Sequence, residues 1–152
     1  MKKIKYVLLI FILLLTACKS NELKLDNFID KATFNGYIVK KDKDGYEDIS
    51  KIIDVYYAIN REYQYNIQFI ETNDTEYAKK FFLYNVSEIK KEIDKNSYVK
   101  SNSLSNYEYY HAENESNYYL VARSKENIIY ISAPINYINE IEEFLSELDI
   151  DY

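Results

Sequence analysis

Apolar residues recur along this chain in two different periods, and the periods alternate. Leu25, Phe28, Ile29 and Ala32 fall at i, i+3, i+4 and i+7, one face of a helix. Asn35 and Gly36 end it, with Gly36 suited to the left-handed position after a helix. Residues 37–40 read as a short strand and 41–45 as a turn. Ile53, Val55, Tyr57 and Ile59 then alternate with Asp54, Tyr56, Ala58 and Asn60. Tyr63, Tyr65, Ile67 and Phe69 alternate with Gln64, Asn66, Gln68 and Ile70. Period two marks half-buried strands, and the polar break Asn60-Arg61-Glu62 makes the pair an antiparallel hairpin, apolar on one face and wet on the other.

The helical period returns with Ala78, Phe82, Val86, Ile89 and Ile93, flanked by Phe81. Residues 72–75 offer several N-cap candidates, of which Asn73 followed by Glu76 resembles a capping box ahead of this helix, which runs to about Asp94. Residues 97–106 are polar and read as a loop. Three strand-like runs follow at 107–111, 118–123 and 128–133, and Pro134 stops the last. Ile138, Ile141, Phe144, Leu145 and Leu148 form the stripe of a closing helix. The expected class is α+β, in the order α-β-ββ-α-βββ-α: one antiparallel sheet of two β-meanders with amphipathic helices packed on one face. The spacing hints at an internal duplication, although no residue-level repeat supports it.

With only two glycines and one proline, the chain has no glycine-rich or proline-rich linker, and its size suits a single domain over residues 24–152. The first 17 residues differ from that domain. Lys2, Lys3 and Lys5 precede an apolar run at residues 6–15, and Thr16 and Ala17 then lead to Cys18. This is a signal-peptide layout, and its apolar run is too short for a stable membrane-spanning helix.

Leu15-Thr16-Ala17-Cys18 resembles the lipobox of bacterial lipoproteins. The lipobox resemblance covers residues 1–18, and the mature domain in turn resembles the small lipoproteins of Gram-positive cells. The lipobox implies a diacylglycerol on the sulfur of Cys18 and cleavage between Ala17 and Cys18, with acylation of the Cys18 amino group left open. Residues 18–23 would be a lipidated tether. The partner so implied is membrane lipid, the location the extracytoplasmic face of the cell membrane, and two acyl chains suffice for durable attachment. Cys18 is the sole cysteine, so the domain has no internal disulfide. Losing the three leader lysines takes the formal net charge from −6 to −9, which disfavours nucleic acid as a partner.

Catalytic patterns are scarce. The one histidine, His111, closes a tyrosine-rich strand and reads as an exposed or edge residue rather than a base. Gly36 and Gly45 alone cannot supply a nucleophile elbow, a P-loop or a dinucleotide fingerprint. No Cys/His cluster suggests zinc, and Asp42-x-Asp44-Gly45 lacks the spacing and closing glutamate of a calcium loop, so no metal or cofactor is expected. Acidic pairs abound among 25 carboxylates, which leaves a small carboxylate-based hydrolase as the weakest alternative. Tyrosine, at 18 residues, is the unusual component. Tyr56, Tyr107, Tyr109, Tyr110, Tyr118 and Tyr119 are the candidates for a binding surface, since tyrosine pairs a flat apolar ring with a hydrogen-bonding tip. The expected function is therefore non-enzymatic: a lipid-anchored binding or interaction module. The alternative is a structural or accessory subunit of a cell-envelope complex.

Overall fold

The computed structural model describes residues 22–104 and 107–150. The leader and the Leu15-Thr16-Ala17-Cys18 motif lie outside them. The class is α+β. Helix α1 (Leu25–Phe34) leads into strands β1 (Ile38–Lys41), β2 (Ile52–Ile59) and β3 (Asn66–Thr72). Helix α2 (Thr75–Glu92) connects these to β4 (Tyr98–Ser103), β5 (Tyr107–Glu113), β6 (Asn117–Ser124) and β7 (Asn127–Pro134), and a short 3-10 turn precedes α3 (Ile138–Glu147). All seven strands join one antiparallel sheet in the order β1-β2-β3-β7-β6-β5-β4. The two meanders meet where β3 pairs with β7.

The helices divide between the faces instead of sharing one. Phe28 and Ala32 of α1 and Ile141, Phe144 and Leu145 of α3 cluster with Ile67, Phe69, Leu120, Ile129 and Ile131. Ala78, Phe82, Val86 and Ile89 of α2 cluster with Ile52, Val55, Ile70, Val121 and Ile128. Adjacent residues such as Ile128 and Ile129, or Leu120 and Val121, point to opposite sides of the sheet, and both members are buried. The sheet thus has a core on each face, and only its edge strands β1 and β4 are largely exposed. The division also argues against a duplication. A two-fold relating antiparallel β3 and β7 runs perpendicular to the sheet and would keep equivalent helices on one face, yet α2 lies opposite both α1 and α3.

Local chemistry explains most element ends. At the close of α1, Tyr37 N–H donates to the Ala32 carbonyl at 2.9 Å and Gly36 N–H to that of Thr33 at 3.0 Å, with Gly36 at φ +80°: a Schellman stop. The cap of α2 is Asp74 rather than Asn73; its Oδ1 accepts the N–H groups of Glu76 and Tyr77, each at 3.0 Å. A register shift between Ile52 and Asp54 turns Ile53 outward to 50% exposure, although alternation alone placed it in the core. Residues 98–103 form an edge strand, not a loop. All six are exposed, so β4 needs no apolar alternation.

The domain also begins earlier than residue 24. Leu23 is 4% exposed within the α1–α3 core, and its carbonyl accepts Asn127 Nδ2 at 2.9 Å. The registers place Glu22, Leu23, the β6–β7 turn and the β3–α2 junction at one end of the sheet, the near end. The turns β2–β3 and β5–β6 and the start of α3 lie at the far end.

Candidate functional site

The β2–β3 turn is built by one side chain. Asn60 is buried, and its Oδ1 accepts the N–H groups of Gln64 at 2.8 Å and Tyr65 at 3.2 Å. This Asx closure sends Arg61, Glu62 and Tyr63 outward. Arg61 Nε donates to the Gly36 carbonyl at 3.0 Å, tying the turn to the end of α1. A Cβ on Gly36 would lie 2.4 Å from the Arg61 guanidinium, so glycine is needed there for this approach as well as for its φ.

Tyr37 and Tyr65 converge beneath that turn. Their rings sit edge to face with centroids 6.2 Å apart, and their hydroxyl oxygens are 2.7 Å apart. Tyr65 donates to Glu140 Oε1 at 2.8 Å. Because a phenol has one proton to give, Tyr37 must be the donor to Tyr65. The relay therefore runs from Tyr37 through Tyr65 to the Glu140 carboxylate in the first turn of α3. Alongside, Tyr137 donates to Glu62 Oε2 at 2.8 Å, with its ring 5.1 Å from that of Tyr65. Asn35, Gly36, Tyr37, Asn60, Arg61, Glu62, Tyr137 and Glu140 together line a depression of about 170 Å³.

Burial is the largest influence on both inner hydroxyls and pushes each far above the usual phenol range. The bond that Tyr65 donates to Glu140 pushes the same way, and the nearby Glu140 carboxylate also raises Tyr37. At neutral pH the site presents neutral hydroxyls, two carboxylates and one guanidinium. Among the described residues neither Glu62, Glu140 nor Arg61 forms an ion pair within 4.0 Å. Such an arrangement can hold a small polar or charged group.

The sequence-derived tyrosine set does not form one surface. Tyr107, Tyr109, Tyr110, Tyr118 and Tyr119 are all 7% exposed or less, and Tyr56 is half-buried. Strand alternation also divides them. Tyr56, Tyr107, Tyr109 and Tyr118 belong to the core on the α1–α3 face, whereas Tyr110 and Tyr119 lie under α2. Lys41 Nζ stands 5.5 Å from the Tyr56 ring centroid. The rings serve as broad half-polar core residues, and a contiguous outward patch is ruled out by the pleat itself.

His111 likewise is buried, not exposed. Burial, with a smaller push from Lys100, lowers its pKa to about 4, so the ring is neutral at pH 7 despite Glu113 at 3.9 Å. It packs between Tyr98 and Tyr118. Cys18 and Ala17 lie outside the described residues. At the Asp42–Asp44 turn, Asp42 accepts from Lys40 Nζ and from the Asp44 N–H. No group of three or more potential metal-ligating side chains occurs among the described residues, and no described helix is long and apolar enough to cross a membrane.

Sequence reasoning missed the far-end site because its members are strangers in sequence: Tyr37, Tyr65 and Glu140 come from three separate segments. The only local signal was Asn60-Arg61-Glu62, read as a polar break. No family model matches the chain, and neither a curated protein nor a solved structure matches it.

Proposed function

We propose that this chain is a bacterial lipoprotein, held on the extracytoplasmic face of the cell membrane by a diacylglycerol on Cys18, and that it acts by binding rather than catalysis. The observation that carries the anchor is Leu15-Thr16-Ala17-Cys18 standing directly behind a basic segment and an apolar run. The far-end depression supports the binding role. It gathers Arg61, Glu62 and Glu140 around neutral hydroxyls, and its 170 Å³ suits an ammonium-bearing side chain or a similarly small polar group of a partner. Tyr63, 71% exposed beside it, adds an aromatic contact of the kind enriched at interfaces.

The anchor is tested by mass spectrometry of the mature N-terminus, which should begin at Cys18 and carry a diacylglycerol. Cys18→Ala should abolish the lipid and normal processing. Unchanged processing and membrane retention of that variant would refute the assignment.

A second reading, an accessory subunit of an envelope complex, draws on β4. Among the described residues this edge strand pairs with β5 on one side only, and it exposes Tyr98 and Val99, at 52% and 44%, with Leu104 just beyond it at 57%. A protein partner could add a strand there. Photo-cross-linking from Lys100 would capture that partner in the membrane fraction, whereas capture from Glu62 alone would favour the far-end site.

A further inference from the structure

The folded body starts almost at the anchor. Leu23 is packed into the core and held through its carbonyl by Asn127, and Glu22 Oε1 accepts Lys125 Nζ at 2.6 Å. Only residues 19–21 separate Glu22 from Cys18. Fully extended, that link spans about 14 Å, shorter than the body itself, because β7 alone (Asn127–Pro134) covers about 23 Å at strand rise. A long flexible linker would let the body tumble freely above the bilayer, and three residues are too few to act as one.

We infer that the short tether fixes the orientation of the domain, with its near end against the lipid surface and the Arg61–Glu62–Glu140 depression facing away from it. The inference rests on lipidation of Cys18 as proposed above. The registers decide which surfaces face where. The β6–β7 turn and the β3–α2 junction adjoin Glu22, since Thr72 N–H donates to the Glu126 carbonyl at 3.1 Å. The β2–β3 turn and the start of α3 lie at the opposite strand ends. A second polar depression, about 480 Å³ and lined by Asp94, Asn96 and residues 114–117, opens at the same far end. Charge reinforces the standing pose. A mature body of net charge −9 is repelled by anionic headgroups over a screening length of about 8 Å, which opposes its lying flat on them. The membrane partner is therefore the bilayer headgroup region under the near end, and the far end is left for a ligand or protein arriving from outside.

The test uses the full chain, matured and lipidated in a host that processes lipoproteins, then placed in phosphatidylcholine vesicles containing acceptor-labelled lipid. Donor dyes go on Asn73→Cys at the near end or Glu115→Cys at the far end, both exposed positions. Energy transfer to the surface should be about two-fold or more stronger from residue 73 than from residue 115, given their separation by roughly a strand length. Inserting about twelve Gly and Ser residues after Asn21 should erase that difference by freeing the body. Equal transfer from both sites, or a difference that survives the insertion, overturns the inference while mass spectrometry still shows lipid on Cys18. Absence of lipid on Cys18 in the same sample overturns the lipoprotein assignment and the orientation together.

Discussion

Two clusters of charged and hydroxyl groups sit at opposite ends of the sheet and are finished in opposite ways. At the near end, Arg123 and Glu108 face each other across β5 and β6, and both side chains are about 95% buried. Arg123 Nε and Nη2 reach Glu108 Oε2 at 2.8 and 2.7 Å, Nη1 donates to the Lys125 carbonyl, and Ser103 donates to Glu108 Oε1. Charge is matched and water is excluded. At the far end, the Tyr37–Tyr65–Glu140 relay opens into a depression where Arg61 and Glu62 stay exposed. A closed, matched cluster serves the fold, while an open one with uncommitted charge has capacity left for something else.

The largest test of that contrast falls on the closed cluster. Arg123→Met strands the Glu108 carboxylate in the core and should cost about 3–5 kcal/mol, a large part of a typical domain's stability. Urea denaturation of the body lacking residues 1–18 would show it. Replacing both partners, Glu108→Leu with Arg123→Met, should recover most of the loss, since no charge is then left unpaired. At the open end, Arg61→Ala should shift stability by about 1 kcal/mol or less in the same assay. A loss there as large as that of Arg123→Met would erase the distinction between the two ends.

Next in size is Gly36→Ala. An L side chain at φ +80° is strained by about 1–2 kcal/mol, and its Cβ would displace the Arg61 guanidinium. Thermal unfolding should register the strain. Loss of the Arg61 bond to the Gly36 carbonyl should loosen the β2–β3 turn, seen as faster amide exchange at Gln64 and Tyr65, whose N–H groups are held by Asn60 in that turn.

How far these features could be read from the chain follows their range of interaction. Helices α1 and α3, the meanders and the Gly36 stop depend on spacing and on one residue's backbone freedom, and both are visible locally. The β4 strand left no mark because an exposed edge imposes no pattern. The two-sided core was misread because Ile70 was set on the wet side of a one-sided alternation, whereas it belongs with Val121 and Ile128 to a second buried row. The Glu108–Arg123 pair depends on the exact β5–β6 register: the gap between the runs 107–111 and 118–123 centres between residues 114 and 115 and would set 108 opposite 121, whereas the turn centres between 115 and 116 and sets Glu108 opposite Arg123. The far-end relay depends on how α1 and α3 settle over the sheet, and no local pattern encodes that.

The smallest expected effect separates stability from use most cleanly. Tyr63 holds φ 58° with its side chain 71% exposed, a conformation that glycine adopts without steric penalty. Tyr63→Gly removes left-handed strain worth about 1–2 kcal/mol but gives the unfolded chain extra freedom, so the net gain should be about 0.5–1 kcal/mol. A melting temperature that rises by a few degrees would show that the fold carries Tyr63 at a loss. If the far end binds as proposed, the same variant should cross-link less from Glu62 in the membrane fraction, and Tyr63→Phe, which keeps the ring, should restore much of the yield. A variant that is more stable and captures its partner undiminished would place binding elsewhere on the molecule, with the β4 edge the next surface to label.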